Sequence, residues 1–275
     1  MSFLDRTKEI CRLSDFWPKH NLGQNFLISE DVYDSIIAAA DLKKDDVILE
    51  VGPGCGFLTA ALAKKVKKVI SVEIDPKIFA ALDTAIKAGN QKNIELINQD
   101  ILQFDTRKLP KKYKIVANLP YNITSIFLRQ FWTLAKKPQL MVLLLQKEVA
   151  ERICAKPPKM SILSVAVQFY GRPDIVQIVR AANFWPAPKV DSALIKIAGL
   201  KTNYLATQDL EKQFFSLVRC GFSSKRKMLK NNLANGFKIS PEKVVTVLEK
   251  LNFNPLIRAE NLSVDNWLSL FAELQ

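Results

Sequence analysis

Short apolar runs alternate with amphipathic stretches along the first half of the chain. Apolar runs predict β-strands at residues 47–51, 68–73, 94–98, 114–117 and 140–145. Helical periodicity is found between several of them, at residues 57–66, 75–89 and 124–135. Because parallel strands need a long crossover, usually a helix, this alternation predicts βαβ units. The expected fold class is α/β, with a Rossmann-like, doubly wound sheet.

The pattern changes in the second half of the chain. Residues 163–170, 174–179 and 193–198 are rich in β-formers and predict an antiparallel end to the sheet. From residue 207 onward only helical periodicity remains, with a helix predicted to begin at Ser223 or Ser224. The predicted organisation is an N-terminal arm (1–28), partly mobile, an α/β domain (29–202) and a small all-helical domain (203–275).

The balance of charge narrows the class of partner. The chain has 40 Lys and Arg against 27 Asp and Glu, a net charge of +13. Such a surplus favours a polyanion, either nucleic acid or an anionic membrane surface. The longest aliphatic run, residues 140–145, is far too short to span a membrane, and the N-terminus lacks the apolar stretch of a secretory signal. We therefore expect a protein of the cytoplasm or of an organelle interior, with no membrane among its partners.

Cysteine and histidine exclude several kinds of chemistry. The four cysteines contain no CxxC pair, and His20 is the single histidine in the sequence. Zinc ribbons, thioredoxin chemistry and His-dependent triads therefore lack the residues they need. We expect no zinc site ligated by cysteine or histidine.

A glycine-rich turn follows the first predicted strand of the α/β domain. Gly52, Gly54 and Gly56 precede a helix, and Glu73 closes the next strand. Glycines let the backbone approach a ligand, and an acidic side chain at the end of the second strand can accept both ribose hydroxyls of an adenosine. The GxGxG spacing, in place of GxGxxG, favours S-adenosylmethionine over a dinucleotide.

The third strand adds a further candidate for the same ligand. Asp100 follows this strand and can meet the exocyclic amine of adenine, while Ile74 and Ile101 can enclose the ring. Taken alone, Asp100 is more typical of a helix cap or a turn residue. Open α/β sheets bind ligands at the carboxyl ends of their strands, which favours the ligand-binding interpretation.

The fourth strand ends in Asn118-Leu-Pro-Tyr121. An aromatic amine is a poor nucleophile because its lone pair is delocalised into the ring. The side-chain oxygen of Asn118 and a backbone carbonyl near Pro120 can each accept one N–H, which orients the nitrogen and stabilises its developing charge. Tyr121 offers a flat face on which a flipped base can stack. The motif predicts methylation of a nucleic acid base.

These motifs resemble the KsgA/RsmA family of small-subunit rRNA adenine dimethyltransferases, to which the Erm resistance methyltransferases are related. The resemblance covers nearly the whole chain. Its further matches are Leu22-Gly-Gln-Asn-Phe-Leu27, Gln146-Lys-Glu-Val149, Phe184-Trp-Pro-Ala-Pro-Lys-Val-Asp-Ser192, Phe222-Ser-Ser-Lys-Arg-Lys227 and Arg258-Ala-Glu-Asn261.

The resemblance implies a class I methyltransferase domain over residues 29–202. It implies that Asn25 and Leu27 contact S-adenosylmethionine and that Phe184 stacks on the target base opposite Tyr121. The implied reaction is transfer of two methyl groups to N6 of each of two adjacent adenosines in a small-subunit rRNA hairpin during ribosome biogenesis. The implied partner is the pre-30S particle, and the protein is expected to act as a monomer without a metal.

The helical domain contains a candidate RNA-binding surface. Between residues 212 and 241 there are seven basic residues and no acidic one. Such a segment is often a solvated helix face, but a solvated face normally mixes both signs of charge, so this one favours phosphate contacts. An i,i+4 pair, Arg226 and Lys230, predicts a basic stripe on one helix. The predicted RNA-binding residues are Lys225, Arg226, Lys227 and Lys230.

Three other functions are compatible with parts of this pattern. An Erm-type methyltransferase of the large subunit is disfavoured by the Phe184–Pro188 and Arg258–Asn261 matches. A non-catalytic RNA-binding assembly or transcription factor is disfavoured because Asn118 and Tyr121 are intact. A dinucleotide oxidoreductase is disfavoured because GxGxxG is missing.

Overall fold

The computed structural model describes residues 1–19, 23–132, 134, 136–200 and 205–275. The histidine of the chain, His20, lies outside the described residues. The strands run as β1 Phe26–Leu27, β2 Val47–Val51, β3 Lys68–Glu73, β4 Ile94–Asn98, β5 Lys114–Asn118, β6 Leu140–Gln146, β7 Arg172–Val179, β8 Phe184–Trp185 and β9 Ser192–Ala198. The helices run as α1 Phe3–Leu13, α2 Glu30–Ala39, α3 Phe57–Ala63, α4 Pro76–Ala88, α5 Thr124–Trp132, α6 Lys147–Ile153, α7 Ile162–Tyr170, α8 Gln208–Gly221, α9 Leu229–Phe237, α10 Pro241–Lys250 and α11 Val264–Glu273.

A seven-stranded sheet forms the centre of the α/β part, in the order β4-β3-β2-β5-β6-β9-β7. The first five of these strands pair in parallel, and β9 runs antiparallel to both β6 and β7. The predicted α/β class and the predicted antiparallel end of the sheet are confirmed. The run Leu140–Leu145 is buried along its whole length because helices or loops cover both faces of a parallel sheet.

A second, two-stranded sheet lies beside this framework. Strands β1 and β8 pair antiparallel, with Phe26 opposite Trp185 and Leu27 opposite Phe184. Successive side chains of a strand point to opposite faces. Phe184 is accordingly buried in the main apolar core, whereas Trp185 packs against a smaller cluster that includes Cys11, Phe16 and Phe26.

Contacts within the chain divide it into two compact units. One comprises Met1–Ala150 and Arg172–Leu200, and the other comprises Glu151–Gly171 and Lys201–Gln275. Residues 151–171 therefore group with the helical residues, although the sequence assigned them to the α/β domain. Residues 1–28 group with the α/β unit, in which α1 begins at a capping box formed by Ser2 and Asp5.

The strand predicted at residues 163–170 is wrong, because this segment forms helix α7. Its β-branched and aromatic residues are typical of strands, and an apolar run this short cannot be assigned by periodicity alone. Ser161 and Ser164 form a capping box that starts the helix. Within the same unit the ring of Phe169 stacks on Phe214 at 4.8 Å between centroids, so burial of the apolar face stabilises the helix.

The start predicted for the next basic helix is also wrong. Helix α9 begins at Leu229, and residues 225–227 form a turn before it. Arg226 and Lys230 therefore do not form an i,i+4 pair on one helix. Lys225, Arg226 and Lys227 are exposed in this turn, and Lys230 is half-buried in the first turn of α9.

No helix among the described residues is both long enough and apolar enough to cross a membrane.

Candidate active site

One cavity opens at the carboxyl ends of β2, β3, β4 and β5, where the parallel register brings their last residues to the same edge of the sheet. Most of the predicted site residues line it. They are Asn25, Gly52, Gly54, Glu73, Ile74, Asp100, Ile101, Asn118, Pro120 and Tyr121. Segments that are distant in sequence therefore converge on one site of the α/β unit.

The glycine turn forms the floor of the cavity. Gly52 and Gly54 have φ angles of +67° and +56°, which L side chains rarely adopt. A Cβ on Gly54 would lie 3.1 Å from the ring of Phe26. The turn therefore requires glycine at this position, both for its backbone conformation and because Phe26 packs against it.

Glu73 is held by the backbone on the cavity wall. One carboxylate oxygen accepts the N–H of Asp75 at 2.9 Å, and the other accepts the N–H of Gly54 at 3.4 Å. The residue is 4% exposed, and burial raises the pKa of its carboxyl while these two bonds oppose the rise. Each oxygen keeps a lone pair, so the carboxylate fits the ribose hydroxyls of an adenosine.

The other predicted adenosine contacts lie on the same wall. One oxygen of Asp100 accepts the N–H of Leu102 at 2.9 Å, and the other has no partner among the described residues. Asp100 thus caps a short 3₁₀ helix and still offers an acceptor to the cavity. Ile74 is 49% exposed and lines the cavity, so its apolar side chain is available for contact with a flat ring.

Replacing Glu73 with alanine is expected to weaken S-adenosylmethionine binding about 5- to 150-fold, because ligand hydroxyls lose an acceptor worth about 1–3 kcal/mol. Calorimetry of cofactor binding measures this. Glu73→Gln keeps the shape and one carbonyl oxygen, so it should lose less affinity. Unchanged affinity in a folded Glu73→Ala protein would show that the carboxylate does not contact the ligand.

Asn118 is the last residue of β5, and its side-chain amide is fixed in one orientation. The amide nitrogen donates to the backbone oxygen of Asn25 at 3.2 Å. Because the nitrogen is engaged in this bond, the side-chain oxygen remains available to accept a hydrogen bond. Asn25 therefore positions the acceptor predicted for the target amine.

The carbonyl of Leu119 is a better candidate than that of Pro120 for the second acceptor. The Pro120 carbonyl already accepts the N–H of Ile123 at 3.2 Å and the hydroxyl of Thr124 at 3.4 Å. No described residue donates to the carbonyl of Leu119, which also lines the cavity. The prediction of a carbonyl near Pro120 is thus refined by one residue, and Pro120 itself shapes the turn.

Tyr121 is anchored through its hydroxyl. The phenol and the hydroxyl of Ser192 share a hydrogen bond of 2.8 Å, and Ser192 is fully buried at the start of β9. Burial raises the pKa of the Tyr121 phenol, and the bond with Ser192 partly opposes this. With its oxygen fixed, the ring presents a stable face in the cavity. The sequence analysis missed this function of Ser192, although the residue lies in a matched motif.

Two of the residues predicted to contact the cofactor or the target base, Phe184 and Leu27, do not line this cavity. Phe184 is 3% exposed and packs in the core with Leu27, so the predicted stacking of its ring on the target base disagrees with the structure. The cause is strand alternation in β8, which directs Phe184 into the main core and Trp185 toward the smaller cluster. Leu27 lines a smaller adjoining cavity together with Gly52 and Asn118.

Glu50 is a residue whose role the sequence analysis missed. It is fully buried in β2 and lines the smaller cavity, and one oxygen accepts the hydroxyls of Thr59 and Ser71 at 2.7 and 2.5 Å. Its other oxygen has no hydrogen-bond partner among the described residues. Burial raises the pKa of this carboxyl to about 7. An unpartnered acceptor beside the glycine turn fits a bound ligand with a donor group.

The stability of the ligand-free protein should depend on Glu50. Because its folded pKa is raised from 4.5 to about 7, ionisation disfavours folding, and stability is lost as the pH rises between these values. Glu50→Gln should therefore be more stable than the wild type at pH 8 by about 3 kcal/mol and nearly equal to it at pH 4. Urea unfolding at both pH values measures this. A difference independent of pH would exclude ionisation as the cause.

Comparison with known proteins agrees with this geometry. The family model for ribosomal RNA adenine dimethylase matches residues 16–275. The chain is 42% identical to ribosomal RNA small subunit methyltransferase A of Dehalococcoides mccartyi, covering 99% of this chain and 94% of that protein. It is 37% identical to the protein of the same name in Clostridium botulinum, covering 95% of each.

Two solved structures share the fold. A dimethyladenosine transferase from Plasmodium falciparum has a TM-score of 0.79 at 28% identity, covering 90% of this chain and 97% of that one. The 23S rRNA methyltransferase ErmE has a TM-score of 0.76 at 26% identity, covering 91% and 99%. The cavity at the strand ends and the match over almost the whole sequence agree: this chain belongs to the ribosomal RNA adenine dimethylase family.

Proposed function

We propose that this protein uses S-adenosylmethionine to dimethylate N6 of two adjacent adenosines in a hairpin of small-subunit rRNA during ribosome biogenesis. The observation that carries the proposal is the fixed amide of Asn118, whose nitrogen is bound to the Asn25 carbonyl while its oxygen remains free at the cavity. S-adenosylmethionine supplies a methyl group made electrophilic by its sulfonium sulfur.

The cofactor binds at one end of the site. Glu73 accepts the ribose hydroxyls, while Asp100 and the exposed Ile74 contact adenine. Gly52 and Gly54 let the backbone approach the ligand closely. Glu50 and Leu27 line the adjoining cavity, where a donor group of the cofactor would satisfy the unpartnered oxygen of Glu50.

At the other end of the site, two acceptors hold the target amine. In the first transfer, the oxygen of Asn118 and the carbonyl of Leu119 each accept one N–H, which turns the nitrogen lone pair toward the methyl group. Both acceptors also stabilise the positive charge that develops on nitrogen. Tyr121, anchored by Ser192, supplies the face on which the base stacks after leaving the RNA helix.

The helical unit supports RNA binding through a basic turn at residues 225–227. The amide of Asn232, 3% exposed, donates to the carbonyls of Gly221 and Ser224 at 2.6 and 3.0 Å. This buried side chain joins the end of α8 to the start of the turn. Lys225, Arg226 and Lys227 are therefore carried on a structured support, which lowers the entropy lost when they bind phosphates.

The small subunit is favoured over the large one by the degree of identity. The chain is 42% identical to a small-subunit methyltransferase over nearly its full length, against 26% for the 23S rRNA methyltransferase ErmE. The ordered acceptors at Asn118 and Leu119 favour a catalyst over a non-catalytic RNA-binding factor. The proposal includes action as a monomer in the cytoplasm, where ribosomal subunits assemble.

The experiment that tests the proposal compares two substrates. Unmethylated small and large ribosomal subunits are incubated in parallel with the protein and cofactor labelled in its methyl group. Label should enter the small-subunit rRNA, and nuclease digestion should release it as N6,N6-dimethyladenosine. Label confined to the large subunit would establish the Erm-type alternative, and absence of label from both would favour a non-catalytic factor.

A further inference from the structure

A pair of tryptophans, Trp17 exposed and Trp185 half-buried, lies beside the cavity. Trp17 is 60% exposed, and its ring contacts that of Trp185 edge to face at 6.2 Å between centroids. Exposed tryptophan is uncommon on a protein surface, because its large apolar area gains most from burial. An exposed ring held against a half-buried one therefore indicates a binding surface.

The pair is continuous with the site already described. Trp185 is the cross-strand partner of Phe26 in the β1–β8 sheet, and Phe26 lines the cavity and packs on Gly54. Trp185 thus lies one strand away from a cavity wall. A substrate whose target base occupies the cavity would bring its neighbouring nucleotides close to this pair.

Basic side chains accompany the rings. The ammonium of Lys8 lies 5.9 Å from the centre of the Trp185 ring, and Arg12 is exposed one helical turn further along α1. The nearby carboxylate of Asp15 is already paired with Lys77 at 3.0 Å. Aromatic faces interleaved with cations are the pattern that binds single-stranded nucleic acid, since bases stack while phosphates meet the charges.

We propose that Trp17, Trp185 and Lys8 form a stacking platform for an unpaired nucleotide that flanks the target adenosine. The inference rests on the proposed function for the identity of the RNA. Trp17 supplies the outer face, Trp185 holds it in place, and Lys8 contacts the adjoining phosphate. The platform positions substrate and does not touch the reacting atoms.

Replacing Trp17 with alanine tests the platform. Loss of one stacked base should raise KM for unmethylated small subunits roughly tenfold, with kcat and cofactor affinity within about twofold of wild type. Trp17→Phe keeps an aromatic face and should restore most of the affinity. Leu13→Ala removes a side chain that is 70% exposed in the same segment and serves as the matched control.

A second variant, Lys8→Ala, and a second ligand, a short oligoribonucleotide, test the platform independently of KM. Lys8→Ala leaves both rings intact and should reduce the salt dependence of binding by about one phosphate contact. Binding of an adenine-rich single-stranded oligoribonucleotide that carries a fluorescent label, followed by fluorescence anisotropy, should weaken in Trp17→Ala and persist in Leu13→Ala. Thermal unfolding establishes that each variant is folded.

Three outcomes would overturn the platform. KM unchanged in Trp17→Ala would show that the ring does not contact substrate, and a parallel loss of cofactor affinity would show a structural role. A raised KM for subunits with unchanged oligonucleotide binding would indicate a ribosomal protein as the occupant. If the wild type methylates no small subunits, the proposed function fails, while the oligonucleotide arm still tests the platform separately.

Discussion

Asn118→Ala is expected to lower the rate of methyl transfer by about 10²–10³-fold, because it removes one of two acceptors that stabilise charge on the target nitrogen. The wild-type oxygen is preorganised, since the amide nitrogen is held by the Asn25 carbonyl at 3.2 Å. The Leu119 carbonyl remains in the variant and cannot by itself fix the direction of the lone pair. Single-turnover methylation with saturating cofactor measures the chemical step.

The matched variant Asn118→Asp separates the effect of the acceptor oxygen from the effect of the hydrogen bond to Asn25. Aspartate keeps an acceptor oxygen but loses the donor to Asn25, so its rate should fall between those of the wild type and Asn118→Ala. Cofactor affinity should change less than the rate in both variants. A single-turnover rate near wild type in Asn118→Ala would rule out acceptance by this side chain, and equal losses in both variants would assign the effect to the bond with Asn25.

The strands, and the residues predicted to contact the cofactor, can be predicted from local features of the sequence. The runs that became β2, β3, β5 and β6 each contain three to six apolar residues, as strands buried in a parallel sheet require. Once the sheet is parallel, its carboxyl ends meet at one edge. The positions of Gly52, Glu73, Asp100 and Asn118 in one cavity then follow from topology.

The errors arise where tertiary contacts decide the outcome. Residues 163–170 carry strand-like composition, yet stacking of Phe169 on Phe214 stabilises a helix. The burial of Phe184 depends on which face of β8 meets the core. A two-residue strand is too short for alternation of apolar and polar residues to predict which face that is. The occupied carbonyl of Pro120 depends on Ile123 and Thr124 folding back onto it, which residue type alone does not reveal.

The basic segment has the charge that its composition indicates, but the helix predicted across residue 226 is wrong. Seven basic residues without an acidic one give this segment a positive charge in any conformation. The predicted stripe required a helix across residue 226, but the buried bond of Asn232 to Ser224 holds a turn there instead. The charges consequently cluster at Lys225, Arg226 and Lys227 rather than along a helix face.

Reversing the three charges of this turn, with Lys225→Glu, Arg226→Glu and Lys227→Glu together, should weaken binding of small ribosomal subunits on the order of 100-fold at 0.15 M salt. Each lost phosphate contact removes about 0.7 to 0.9 units from the slope of log K against log salt, so the slope should fall by about two to three units. Binding measured across a range of salt concentrations gives both quantities. Cofactor affinity should be unchanged, because every residue lining the two described cavities belongs to the α/β unit.

A second triple variant, with the same change in net charge at a different surface, serves as the control. Lys108, Lys111 and Lys112 are exposed in a surface loop of the α/β unit, and their triple replacement by glutamate makes the same change in net charge. If binding depended only on net charge, both triple variants would lose affinity equally. A specific phosphate contact predicts a much larger loss, and a larger change of slope, for the turn at residues 225–227. Wild-type affinity and slope in that variant would instead make the turn an ordinary solvated surface, leaving RNA binding to the α/β unit alone.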